Sequence, residues 1–475
     1  MKRWKKILGI SILTVFVCVI GITAWYAHKA LPVGTGFVAK YLCSSTFISK
    51  RDPELVFEED IKPVNPLAKV VKWKINDSER SVTAKALGLF ESKAVFRKGC
   101  GCTLIRGMSE DQLMEQRFFK SETDEGAAGQ EAEAQWPEGN QGPVKPESLD
   151  IDGVRLEKAL DAAIAETGPE KVKRTRAVVV VYDGRLAAER YAPGFGPNMS
   201  LLGWSMNKSI TNALVGVLIR AGKLSLKDPA PVPEWQAPGD PRQKITLDQL
   251  MRMSSGLEFE EVYAPLHDAT NMLYQSSDFA AYAAEKPLET EPDGKWSYSS
   301  GTANIVARIV RQTVEKEQTD YYEFFKNTFF DPMGMSNFVL EPDPSGTFVG
   351  SSYGLATLRD WTRFGQLYLQ DGMWNGNRIL PEGWVKYTTT PTPKAPRGEY
   401  GALFWLNAGS PEDPMNRLWP DLPRDAYAAS GYQGQNVMVI PSENLVVVRF
   451  GATSNRKAWD LNEFVGNVLK SLPQK

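Results

Sequence analysis

The chain has 475 residues, and its 55 basic and 57 acidic side chains leave a formal net charge of −2, which offers no electrostatic footing for nucleic acid. Its two histidines, His28 and His267, argue against a histidine-based zinc site and against a Ser-His-Asp triad. If the protein is an enzyme, lysine and tyrosine must move its protons, and the length suffices for a large domain with an extension.

Met1 to Lys6 is rich in lysine and arginine, and Ile7 to Ala27 is uncharged and mostly apolar. Such a run spans a bilayer as a helix, and the basic residues ahead of it keep the N-terminus in the cytoplasm. Trp25, Tyr26, His28 and Lys29 spoil the small-residue cleavage positions that follow, so an uncleaved anchor is preferred to a signal peptide. The expected order is a cytoplasmic tail at 1–6, a membrane helix at 7–27, and everything after residue 28 on the periplasmic side of the inner membrane. Cys18 lies in the membrane run, while Cys43, Cys100 and Cys102 face an oxidising compartment. One disulfide from Cys43 to the Cys100/Cys102 pair is expected, with one thiol left over; three thiols without histidine do not favour a metal.

Residues 28–120 are an extension of mixed character, with extended segments at Val70 to Ile75 and Cys102 to Ile105 and no catalytic constellation. From 121 to 149 the composition turns to Glu, Asp, Gly, Ala, Gln and Pro, the signature of a linker or surface-hugging loop rather than a core element. The main domain is expected over 150–475. A helix begins near Asp150, with Val154, Leu156, Leu160, Ala163 and Ile164 on one face. Ala177 to Tyr182 reads as a buried strand that turns at Asp183-Gly184 into Leu186 to Tyr191. Further helices read at Ile245 to Met253, Thr302 to Val314, Asp320 to Phe329, Leu358 to Tyr368 and Ala458 to Leu472. Strands at Gln435 to Ile440 and Leu445 to Phe450 turn through Pro441 to Asn444. This order predicts an α/β (α+β) sandwich: an antiparallel sheet flanked by helices, with a mostly helical subdomain.

Three stretches carry chemistry. In Trp204-Ser205-Met206-Asn207-Lys208-Ser209, ahead of the apolar run Ile210 to Ile219, Ser205 and Lys208 are three apart and share a helix face. A serine hydroxyl becomes a nucleophile when a nearby base takes its proton, and a desolvated lysine serves as that base. The helix N-terminus adds partial positive charge where an oxyanion develops. The other stretches are Trp296-Ser297-Tyr298-Ser299-Ser300-Gly301 and Ala429-Ser430-Gly431-Tyr432-Gln433-Gly434-Gln435.

In this order the three resemble the motifs of the class C β-lactamase and penicillin-binding-protein superfamily of serine hydrolases. Thr246 to Gly256, Tyr298 to Asn304 and Arg359 to Gly365 look closest to the branch of 6-aminohexanoate-oligomer hydrolases and related esterases. The resemblance implies Ser205 as acylated nucleophile and Lys208 as the group that deprotonates it. It also implies Tyr298 as proton relay, with a phenol lowered by the neighbouring lysine, and no cofactor or metal. Ser300 stands where the family's Y-x-N motif has asparagine, and Ser430 and Gly431 stand in the K-T-G position. The backbone N–H groups of Ser205 and Tyr432 would form the oxyanion hole. Tyr263 matches, by position alone, a substrate-contacting tyrosine of the nylon-oligomer hydrolases.

Ala429 replaces the basic residue that, in lactamases and peptidases, fixes a substrate carboxylate. A small neutral amide or ester is therefore the expected substrate. The alternatives are a β-lactamase or D,D-peptidase, and a catalytically silent scaffold that keeps the fold.

Overall fold

The computed structural model describes residues 2–116, 134–168, 170–317 and 320–473. Helix α1 (Lys2–Phe47) runs through two environments. Its first half projects from the body, and Ile10, Val15, Phe16, Ile20 and Trp25 are each more than half exposed. From Ala30 onward most of its side chains are buried. The helix is long and apolar enough to cross a membrane, a test that a signal sequence also passes. The boundary expected at residue 28 is not a break. The backbone stays helical because Leu31, Val38 and Leu42 have a sheet to pack against.

That sheet consists of β1 (Val71–Asn76), β2 (Ser81–Ala86), β3 (Phe90–Arg97) and β4 (Gly101–Leu104), antiparallel and in sequential order. Only its outer strands were expected from the sequence; in β2, Ser-Val-Thr-Ala-Lys-Ala, Val82 and Thr83 are the only strand formers, too short a run to stand out. The disulfide joins Cys43 on α1 to Cys102 on β4. Cys100 remains a buried free thiol, pushed up to about 12 by burial, and Cys18 is exposed on the projecting half of α1.

Of the linker expected over 121–149, residues 121–133 lie outside the described residues, and the remainder corrects the reading. Trp136 is buried in the main core, and the carbonyls of Pro137 and Gly139 accept from the Arg363 guanidinium. A single large aromatic outweighs the polar residues around it.

Helix α2 (Gly153–Ile164), capped by Asp152, leads into the hairpin β5 (Thr175–Tyr182) and β6 (Arg185–Tyr191). Asp183 and Gly184 turn it with φ of 49° and 71°, the left-handed pair that a two-residue hairpin needs. Val154, expected on the buried face of α2, is 82% exposed. It lies two residues, about 200° of helix, from Leu156 on the buried stripe.

Next come α3 (Asn207–Arg220) and the helical subdomain: α4 (Leu247–Met251), α5 (Asp268–Gln275), α6 (Phe279–Ala284) and α7 (Ser300–Glu315). The helix expected over Asp320 to Phe329 is α-helical only to Phe325, then widens into a π turn. The chain closes with α8 (Leu358–Leu369), β7 (Trp405–Leu406), β8 (Tyr427–Gly431), β9 (Gln435–Ile440), β10 (Leu445–Gly451) and α9 (Leu461–Leu469). The last helix is shorter than expected because Asp460 caps it afresh, accepting from the Glu463 N–H.

The main sheet is fully antiparallel in the order β7-β8-β9-β10-β5-β6. Along β5, Ala177, Val179 and Val181 enter one core while Val178 and Val180 enter the other, the period-2 alternation of a strand buried on both faces. Helix α8 covers one face, where Gly365 lets Val437 and Val446 reach the helix backbone, and α2 and α9 cover the other. The sandwich and its helical subdomain are the architecture expected from the sequence.

Candidate active site

Ser205 does not lie in the first turn of the long helix, as the spacing implied. It sits on a separate 3₁₀ turn, Trp204–Met206, and α3 begins at Asn207. The chain reaches this turn through a constrained corner. Gly203 donates to the Gly354 carbonyl, a Cβ on Gly203 would lie 2.6 Å from the Trp361 ring, and Trp204 adopts φ of +50°. A left-handed bulky residue is held only by its surroundings. Trp204 is packed between Phe37 and Tyr41 of α1, Tyr353 and Tyr432, which fixes it. The strained corner leaves Ser205 partly exposed between buried neighbours.

Lys208 is 1% exposed, and its ammonium has three partners: Ser205 Oγ at 3.1 Å, Ser300 Oγ at 3.0 Å and the Ser351 carbonyl at 3.1 Å. None is charged. Burial lowers its pKa to about 8, partly opposed by Glu261. As a free amine it would keep two donors, for Ser300 and Ser351, and turn its lone pair toward the Ser205 hydroxyl. The substitution of Ser300 for asparagine therefore preserves the contact with Lys208.

Tyr298 reaches the same place from the segment before α7. The Lys208 Nζ stands 4.7 Å from its ring centroid, and Ser205 is the neighbour that favours the ionised phenol. The sequence implied a lowered phenol; the structure reverses this. Burial first, and the Glu261 charge second, push Tyr298 up. Lys208 approaches the ring face rather than the hydroxyl, so it does not offset the cost of a buried phenolate.

Glu261 is the group that sequence reasoning missed. Its carboxylate accepts from the Ser300 N–H (2.7 Å), the Ser300 hydroxyl (2.6 Å) and the Tyr263 hydroxyl (2.7 Å). It stands at the N-terminus of α7, where backbone N–H groups favour an anion. In a loop that also carries Glu258, Glu260 and Asp268, nothing in the sequence singled it out. The Ser351 carbonyl was equally illegible, because a backbone acceptor leaves no mark on residue type.

Tyr263 is stacked on Tyr432 with ring centroids 6.1 Å apart, and both line the cavity at Ser205. Ser430 does not reach the lysine; its hydroxyl donates to Asn436 Oδ1 at 2.8 Å. Gly431 is held against the nucleophile's corner, since a Cβ there would lie 2.1 Å from the Gly203 carbonyl oxygen. Among the described residues, neither the Ser205 nor the Tyr432 N–H pairs with a backbone carbonyl, leaving both available as oxyanion donors. The loop carrying Tyr432 is held from below by Arg449, fully buried, which donates to the Gln433 and Gly434 carbonyls at 3.0 and 2.9 Å. His267 sits away from this chemistry, bonded to Glu260. Among the described residues, no group of three or more His, Cys, Asp or Glu side chains is placed to hold a metal ion.

Residues 160–465 match the β-lactamase family. A 6-aminohexanoate-dimer hydrolase from Paenarthrobacter ureafaciens is 23% identical over 294 residues, 58% of this chain and 72% of the relative. Among solved structures, a family VIII carboxylesterase superposes with a TM-score of 0.52 at 15% identity, covering 70% of this chain and 98% of the other. A penicillin-binding-protein homologue from Caulobacter crescentus gives 0.51 at 13% identity, covering 70% and 99%. The chain therefore belongs to the β-lactamase family and is a serine hydrolase of that fold.

Proposed function

We propose that the protein cleaves a neutral amide or ester through an acyl-enzyme on Ser205, at the outer face of the membrane that holds its N-terminal helix. The observation that carries this reading is Lys208, buried, 3.1 Å from the Ser205 hydroxyl and lowered to about 8. As a free amine it takes the Ser205 proton while Oγ attacks the carbonyl carbon. The oxyanion is received by the N–H groups of Ser205 and Tyr432. Tyr298, raised and so kept as a neutral phenol, donates to the leaving nitrogen or oxygen as its bond to carbon breaks, and the proton held on Lys208 returns to the phenolate through a bridging water. Water then enters by the reverse route and releases the acid.

A neutral substrate is supported by what surrounds Ser205. Ala429 is fully buried between neighbouring strands, and among the described residues no Lys or Arg lines the cavity that opens at the serine. The membrane reading rests on the projecting half of α1, whose large apolar side chains would each gain about 1.5–3 kcal/mol on leaving water. The Cys43–Cys102 bond suits an oxidising compartment.

Intact-mass labelling with a fluorophosphonate tests the chemistry. One adduct on the parent and none on Ser205→Ala is the expected result. No adduct on either would leave a silent scaffold, and rapid nitrocefin turnover would return the β-lactam reading.

A further inference from the structure

Ser205 opens onto a cavity of about 200 Å³ whose far wall belongs to the N-terminal extension rather than to the hydrolase fold. Trp204, Tyr263 and Tyr432 form the catalytic side; Tyr26, Val33 and Phe37 of α1 face them. Residues 26, 33 and 37 are spaced i, i+7 and i+11, one stripe along the helix. At 1.5 Å per residue the stripe extends for roughly 16 Å. One end adjoins the nucleophile, where Phe37 stacks on Trp204. The other end is Tyr26, 45% exposed and next to Trp25 at the close of the apolar projecting run. Val64, Leu67, Ala264 and Pro265 belong to the remaining walls, Asn65 and Thr270 add the polar side chains there, and no charged side chain is among the lining residues. The cavity thus runs from the serine to the foot of the helix half that needs a membrane around it, and an aromatic pair at that foot suits the bilayer interface.

We propose that the substrate is an ester or amide of a long apolar chain, which enters from the bilayer along α1 and places its carbonyl at Ser205. This rests on the acyl-enzyme reading above and adds the substrate class and its route. A small hydrophilic amide would leave the α1 wall uncovered, whereas an alkyl chain buries itself against Val33, Phe37 and Tyr26. Each methylene buried there is worth roughly fourfold in kcat/KM.

The test uses the full chain in phosphatidylcholine vesicles with p-nitrophenyl acetate, butyrate and decanoate. The decanoate-to-acetate ratio of kcat/KM is expected to exceed roughly tenfold, from a few buried methylenes. Val64→Arg, which places a charge in one wall, and Ala264→Trp, which narrows the other, should each lower that ratio at least fivefold. The ratio serves as its own control for a partly misfolded variant. Entry from the bilayer predicts hydrolysis of a vesicle-resident diacylglycerol when enzyme and lipid share vesicles and little when they are in separate ones. A flat chain-length profile, or a ratio that neither variant moves, would overturn the proposal while leaving the acyl-enzyme intact. Equal hydrolysis in shared and separate vesicles would overturn the route. A parent that takes up no fluorophosphonate and cleaves none of the esters would remove the acyl-enzyme reading and this proposal with it.

Discussion

The junction between α1 and the hydrolase domain and the floor of the Ser205 site each bury a lysine beside a tyrosine ring. Lys40 stands 4.1 Å from the ring centroid of Tyr353, and Lys208 stands 4.7 Å from that of Tyr298. Burial lowers both. What separates them is the carboxylate. Lys40 is paired directly with buried Glu341, which also accepts from the Ser44 hydroxyl (2.8 Å) and the Cys102 N–H (2.7 Å), tying helix, sheet and hydrolase domain together. Lys208 meets only neutral oxygens, and its nearest carboxylate, Glu261, acts through Ser300. A buried cation with a partner in contact is a strut; one whose counter-charge is a step removed is free to give up its proton.

Replacing each lysine with methionine breaks the comparison most directly. Lys208→Met should reduce kcat/KM by about 10³-fold, within the usual range for loss of a general base. Its melting temperature should hold or rise, because a desolvated ammonium is gone. A variant that keeps a tenth of the parental rate would take the base role from Lys208. Lys40→Met should do the opposite. Glu341 is left charged and buried, which costs about 3–5 kcal/mol, read as a lower urea midpoint, while turnover per folded molecule persists. Equal loss of stability in the two variants would erase the distinction.

Sequence and structure part company along the same line. The strut was illegible: Lys40 and Glu341 are 301 residues apart, and neither belongs to a motif. The cluster was largely legible, since Ser205 and Lys208 are three apart, Tyr298 stands just ahead of α7, and the fold brings the three together. The sandwich was legible too, because β5 and β10 are runs of branched aliphatics, and Pro441 to Asn444 turns β9 into β10. Glu261 and the Ser351 carbonyl were not, because one looks like any solvated loop acid and the other has no side-chain signature. Residues 28–120, read as an extension without a catalytic constellation, pack on the main domain, but where they meet the site was not legible. Phe37 and Val33 look like ordinary core residues until α1 is seen to lie against the nucleophile.

Arg449 sharpens the comparison with a third buried cation. It donates to carbonyls and hydroxyls and covers the Trp459 ring at 4.2 Å, and burial lowers it to about 9. Its work is to hold the Gln433–Gly434 turn, and with it the Tyr432 N–H. Arg449→Met should reduce kcat roughly tenfold, less than outright loss of an oxyanion donor, with KM little changed. A fall in stability without a fall in kcat would make it a strut like Lys40.

The smallest expected effect is the most specific. If Lys208 must be a free amine, kcat/KM climbs as pH rises through about 8. Glu261 raises Lys208, so Glu261→Gln removes the one charge that keeps the ammonium protonated. The lysine then releases its proton at lower acidity demand, and the climb in kcat/KM moves to lower pH, making the variant relatively faster near neutrality. The glutamine oxygen still accepts from the Ser300 N–H, and the cap of α7, the Ser299 hydroxyl accepting from the Thr302 N–H, is untouched, so the pH profile reports charge rather than unfolding. A profile unmoved by Glu261→Gln would show that the rise belongs to another group. Glu261 also raises Tyr298, which must stay protonated to donate, so a falling limb that moves to lower pH in Glu261→Gln, with the climb unmoved, would place control of the reaction on Tyr298 rather than Lys208.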